Sequence, residues 1–107
     1  MISGTTPTLT LTIKDPDLDL RLAENVYVTI KQTGYKLTLT GENITVPSAT
    51  VVKCFLSQEE SLKLSSNATA KIQINWIYID DLSGRRLRGA TKPKTINIEE
   101  QLLKQVI

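Results

Sequence analysis

Histidine is absent from the 107-residue sequence, and cysteine, methionine, tryptophan and phenylalanine occur once each. Without histidine, neither a Ser-His-Asp nor a Cys-His nucleophilic arrangement can be assembled in one chain, and the usual soft-ligand metal sites go with them. Oxygen-ligand and carboxylate chemistry stay open. The lone Cys54 cannot close an internal disulfide, so nothing points to an oxidising compartment. Thirteen Lys or Arg against eleven Asp or Glu leave a net charge of +2, too small by itself to predict a nucleic-acid or membrane partner. No apolar run approaches the ~20 residues that span a bilayer. The start, Met1-Ile2-Ser3-Gly4-Thr5, lacks a basic region followed by an apolar stretch. Synthesis in a cytoplasm with no membrane contact is therefore expected, and no cofactor is expected.

The sequence is rich in 14 Thr, 14 Leu and 11 Ile. Branched residues pack well on a pleated sheet and are mediocre helix formers, so the bias favours strands. Thr8 to Ile13 alternates strictly, with Leu9, Leu11 and Ile13 on one face and Thr8, Thr10 and Thr12 on the other, and Asp15-Pro16-Asp17 ends the run. Leu18 to Ala23 also alternates, but turn residues flank it and an irregular crossover fits equally. Residues 25 to 40 read as a hairpin turning at Thr33-Gly34, with Val26, Val28, Ile30, Leu37 and Leu39 inward. Gly41-Glu42-Asn43 is a second turn, and Ile44-Thr45-Val46 is expected to break at Pro47-Ser48. Thr50 to Leu56 is another strand whose inward face stays open, with Val52, Cys54 and Leu56 the more apolar set.

Ser57-Gln58-Glu59-Glu60 has the capping-box pattern and predicts one short helical turn that returns Leu62 and Leu64 to the core. Ala70 to Ile79 is the longest strand candidate, its core face carrying Ile72, Ile74, Trp76 and Tyr78. Asp80 to Gly84 is a hairpin loop, and the chain returns through Arg85 to Ala90 and then Thr95 to Ile98 after Pro93. The last residues, 99–107, suit a short helix or an extended tail. About seven short strands with turns every 8 to 12 residues amount to one all-β domain, an immunoglobulin-like β-sandwich. Its core spans about residues 7–98, with 1–6 and 99–107 as terminal docking segments. A single barrel is the alternative.

Arg85, Arg86, Arg88, Lys92 and Lys94 fall within ten residues that contain no acid. With Leu102, Leu103, Val106 and Ile107 of the tail, they are the candidate protein contacts. Nucleic acid is not expected as a partner, because stacking platforms interleave aromatics with the charges and this stretch has none. Tyr27 and Tyr35 are the candidate glycan contacts, with sheet-stabilising pairs as the plainer reading. Asp15, Asp17 and Asp19 lack the glycine bend and the downstream bidentate glutamate of a calcium loop, so no metal site is assigned. No catalytic residue is assigned.

Three stretches carry a resemblance. Gly4-Thr5-Thr6-Pro7-Thr8 before an alternating strand, Leu56-Ser57-Gln58-Glu59-Glu60-Ser61-Leu62-Lys63-Leu64 in the centre, and Gln105-Val106-Ile107 at the end together resemble small proteins encoded among the structural genes of tailed phages and prophages of Gram-positive bacteria. Ala70-Lys71-Ile72-Gln73-Ile74 also looks like the strand that follows the central motif in that family. The family's central motif has Thr where Ser57 and Ser61 stand, and the basic run from Arg85 to Lys94 departs from it. In architecture the family is similar to the N-terminal sandwich modules of baseplate and tail-fibre proteins. The resemblance implies a non-enzymatic virion protein, a tail or baseplate module that contacts other phage structural proteins and forms a homo-oligomer in a symmetric assembly. A receptor- or carbohydrate-binding module at a tail tip and a capsid-associated decoration protein are the alternatives. No functional residue is carried over.

Overall fold

The computed structural model describes residues 1, 5–15, 17–64 and 68–98. Within them eight strands form two antiparallel sheets. In chain order β1 is Thr8–Thr12, β2 Asn25–Gln32, β3 Tyr35–Leu39, β4 Ile44–Ser48, β5 Val51–Phe55, β6 Ala68–Ile79, β7 Arg86–Ala90 and β8 Lys94–Ile98. A one-turn helix, α1 (Gln58–Leu62), crosses between the sheets. One sheet has the order β1-β5-β4. The other has the order β3-β2-β6, and the far edge of β6 is shared by β8 along Ala68 to Ile72 and β7 along Asn75 to Ile79.

Two-residue periodicity decides what each strand buries. Leu9 and Leu11 of β1, Val52 and Cys54 of β5 and Ile44 of β4 face inward from the small sheet. Val26, Val28 and Ile30 of β2, Leu39 of β3, and Ile72 and Ile74 of β6 meet them from the large one. This is the all-β sandwich that the alternation predicts. The open question on β5 is settled in favour of Val52, Cys54 and Leu56, which are buried, while Phe55 is exposed. Leu20 fills the core from a 3-10 turn (Leu20–Leu22), so the ambiguous stretch before β2 is the irregular crossover, tied down by its amide donating to the Ala49 carbonyl at 2.8 Å.

The capping box at α1 is complete. Ser57 Oγ accepts from the Glu60 amide at 3.1 Å, and Glu60 Oε1 accepts from the Ser57 amide at 2.9 Å. Leu64 returns to the core as expected, whereas Leu62 is only partly buried. Ser61 is buried and is satisfied by donating to the Thr5 carbonyl at 2.6 Å.

Two expectations need correction. Pro47 does not end its strand: β4 runs on to Ser48, and its pairing with β5 shifts register between Thr45 and Ser48. A sheet edge combined with an irregularity is where a residue without an amide hydrogen is tolerated. Part of the first six residues is also tied to the sandwich rather than lying outside it. Thr5 accepts from Ser61, Met1 packs against the core, and the Met1 ammonium donates to the Asn97 carbonyl at 3.2 Å. The expected helix or tail at 99–107 lies outside the described residues. Among the described residues no helix is long and apolar enough to cross a membrane.

Candidate functional site

The β6–β7 hairpin is the part of the basic run with the most defined geometry. β2 pairs with β6 only as far as Ile77, so Tyr78 and Ile79 have β7 as their strand partner and lead the ribbon past the end of β2. Asp80 organises the turn. Its carboxylate accepts from the Leu82 amide at 3.2 Å and from Ser83 Oγ at 2.7 Å, while its carbonyl accepts from the Gly84 amide at 2.7 Å. Gly84 supplies the left-handed φ of 67° that the loop needs. The turn holds Leu82 at its tip, 99% exposed, with Ile79 and Leu87 about half exposed on the ribbon behind it.

The base of the hairpin is bolted to the crossover before β2. Tyr78 Oη donates to the Asp19 carbonyl at 2.6 Å, the Glu24 amide donates to the Ile77 carbonyl at 2.7 Å, and Arg86 lies 3.7 Å from the Glu24 carboxylate. Burial raises the Tyr78 phenol above its ordinary pKa. Asp19 accepts from the Arg21 guanidinium at 2.9 and 3.0 Å and from the Arg21 amide at 3.1 Å, and the guanidinium bonds above all hold its carboxyl below the usual range. Trp76 crosses β7 at Gly89, where a Cβ would stand 2.4 Å from the indole. That glycine serves space rather than backbone conformation.

The candidates are brought together only in part. Arg86 and Arg88 share the outward face of the large sheet, since their partners Ile79 and Ile77 alternate with the inward Tyr78 and Trp76. Arg85 immediately precedes β7, and Lys92 lies in the link to β8, also exposed. Lys94 pairs with inward-facing Ile72 and borders a small apolar hollow with Leu11 and Ile13, on the opposite side from Arg86 and Arg88. Thr91 spans the gap between β7 and β8, its amide donating to the Ile74 carbonyl and its hydroxyl accepting from the Ile74 amide. Leu102, Leu103, Val106 and Ile107 lie outside the described residues.

Tyr27 and Tyr35 do not form a joint platform. Tyr27 faces outward on β2 opposite Asn75, whereas Tyr35 pairs with inward Gln32 and packs against the core. Asp15 accepts from the Asp17 amide and Asp19 is engaged by Arg21, and no group of three or more potential ligands gathers among the described residues. Cys54 is fully buried, and burial, only partly offset by the Leu9 backbone, pushes its thiol up to about 11, so it is protonated at neutral pH.

Sequence reasoning missed a row of lysines on the outward face of the large sheet. Lys36 of β3 stands opposite Lys31 of β2, and Lys31 opposite Lys71 of β6. One of its two pairings was legible, because a two-residue turn at Thr33-Gly34 places residue 31 across from residue 36. No family model matches the chain, and no match is found among curated proteins or solved structures.

Proposed function

We propose that the chain is a non-catalytic interaction module of a tailed-phage particle, seated among tail or baseplate proteins as one copy in a symmetric assembly. The observation that carries this reading is the β6–β7 hairpin. Its internally hydrogen-bonded turn presents Leu82 at the tip, with Ile79, Arg86 and Arg88 on the outward face of the ribbon and Leu87 on the other face. Arginine is enriched among the residues that carry protein–protein affinity, and burying an exposed aliphatic side chain against a partner adds the hydrophobic term. A ribbon already ordered loses little further entropy on docking. The matching partner surface is an apolar pocket with an acidic rim. The sequence resemblance to phage structural proteins supports the virion setting.

The test is a mass-spectrometric inventory of purified particles carrying either the parent chain or the Leu82→Ser/Leu87→Ser variant. Both substitutions are at exposed positions, so circular dichroism should be unchanged. The expected result is stoichiometric incorporation of the parent and loss of the variant. Absence of the parent from particles, or equal incorporation of the variant, overturns the reading.

A further inference from the structure

The outward face of the large sheet holds a second feature, independent of the hairpin. Lys36, Lys31 and Lys71 come from three neighbouring strands and stand in one row across the sheet. Strands lie ~4.8 Å apart, so the three stems rise from a line ~10 Å long. All three residues are exposed, and among the described residues none has a carboxylate within 4.0 Å. No outward position of β2, β3, β6, β7 or β8 is acidic. Like charges directly opposite one another destabilise a sheet, where Lys opposite Glu would stabilise it. A face that needed only solvation would be served by either threonine or alternating signs.

The row opens onto a cavity of about 520 Å³ that it shares with Thr29, Gln73 and Asn75. Past Asn75, a hollow of about 300 Å³ continues between Tyr27, Ile77 and Arg88. From Lys71 to Ile77 the path follows β6 for ~20 Å, a length that suits an extended chain rather than a compact small molecule. Lysine ammonium groups act as point charges toward phosphate, and the amides and hydroxyl beside them match hydroxyl groups. A protein partner fits poorly, because lysine is depleted from interface cores and the large aliphatic side chain on the path, Ile77, lies beyond the lysines. A nucleic acid fits poorly too. Its bases call for stacking platforms along the whole path, whereas the aromatics that line it, Tyr27 and Trp76, stand together at the end beyond Asn75 and none borders the lysines.

We propose that this groove binds an extended phosphodiester-linked chain of sugar or polyol units. Lys31, Lys36 and Lys71 hold a phosphate, and Asn75 takes a hydroxyl of an adjoining unit together with Gln73 Oε1 and Thr29 Oγ1, the Gln73 Nε2 already donating to the Thr91 carbonyl at 2.8 Å and the Thr29 hydroxyl lying 3.4 Å from that of Thr38. The test is fluorescence anisotropy on the full chain with a labelled glycerol-phosphate oligomer, in parallel with uncharged oligoglycerol, a thymidine oligonucleotide and oligoglutamate of matched length. The glycerol-phosphate oligomer should bind tightest, with log K falling linearly against log salt. Lys31→Gln/Lys36→Gln/Lys71→Gln should weaken it at least about tenfold without lowering the thermal midpoint, and Lys53→Gln on the other sheet should leave it unchanged. Lys31→Gln alone should move binding in the same direction. Tighter binding of the oligonucleotide or oligoglutamate overturns the ligand class. Equal binding of uncharged oligoglycerol, no binding of the phosphate oligomer, or indifference to both lysine variants overturns the site.

Discussion

The two outer faces of the sandwich are built by the same alternation and meet the same solvent, yet they differ in chemistry. On the small sheet the outward positions include Thr8, Thr10, Thr12 and Thr45 with Val51, Phe55 and a single cation, Lys53. On the large sheet they carry Lys31, Lys36, Lys71, Arg86 and Arg88 among Thr29, Thr38, Gln73 and Asn75. The threonine face shows what solvation and β-propensity ask of a strand: a branched side chain with a hydroxyl, short enough to leave its neighbours undisturbed. Everything on the other face beyond that is a departure needing its own cause. Arg86 lies 3.7 Å from the Glu24 carboxylate, but among the described residues Lys31, Lys36 and Lys71 have no acid beside them and lower stability through self-repulsion, which an anionic ligand would turn into affinity.

If both faces belong to one cooperative unit, the largest expected effect falls on both sheets together. Ile30 lies under the basic face and Val52 under the threonine face, both fully buried. Ile30→Ala should cost about 2–5 kcal/mol, and Val52→Ala somewhat less for its smaller side chain. Either variant should lower protection of both sheets together in native-state hydrogen exchange. If Val52→Ala loosened only β1, β4 and β5, the faces would belong to separately melting layers. Gly89→Ala is expected next in size. Its Cβ would fall 2.4 Å from the Trp76 indole, so the ring or β7 must shift, at about 1–3 kcal/mol. Denaturant unfolding measures the cost, and tryptophan fluorescence reports the displacement. An unchanged spectrum and stability would show that Trp76 does not hold β7 in place.

Most of the fold was legible because its signals are local. The Thr8 to Thr12 alternation, the Thr33-Gly34 turn and the Ser57 to Glu60 box each lie within a few residues, and each appears as an element of the structure. What sequence reading lost depends on tertiary placement. Pro47 breaks a central strand and is tolerated at an edge, and only the sheet order says which applies. Tyr35 resembles a free aromatic until hairpin parity puts it with Leu37 and Leu39 on the inner side. The lysine row divides the same way. The Lys31 and Lys36 pairing follows from the turn, but Lys71 joins only through the β2–β6 ladder, which no short-range pattern announces.

A third effect is absent at neutral pH and separates the layers by titration. Cys54 lies beneath the threonine face, where burial pushes its thiol up to about 11 from an ordinary value near 9. Between those values the unfolded chain has released the proton and the folded chain still holds it, so stability must fall as pH rises through that window. Below pH 9 both states are protonated and the contribution is level. Cys54→Ala should therefore flatten the pH dependence of unfolding free energy between about pH 9 and 11, whatever its packing cost. An identical slope in parent and variant would place the thiol in contact with solvent.

The smallest expected effect bears most directly on the difference between the faces. Lys31→Glu puts an acid between Lys36 and Lys71 and converts two like-charge cross-strand pairs into two opposite ones. The gain should be a few tenths to about 1 kcal/mol at low salt, fading as salt screens exposed charges. Thr10→Glu on the other face adds one acid beside Lys53 alone and should gain less. Denaturant midpoints at low and high salt would measure both. A gain at position 31 exceeding that at position 10 would show that the lysine row carries a repulsion that an anionic ligand can relieve and that the threonine face does not. If Lys31→Glu were neutral or destabilising at low salt, the row would carry no repulsion for a ligand to relieve, and the two faces would be alternative ways of being wet.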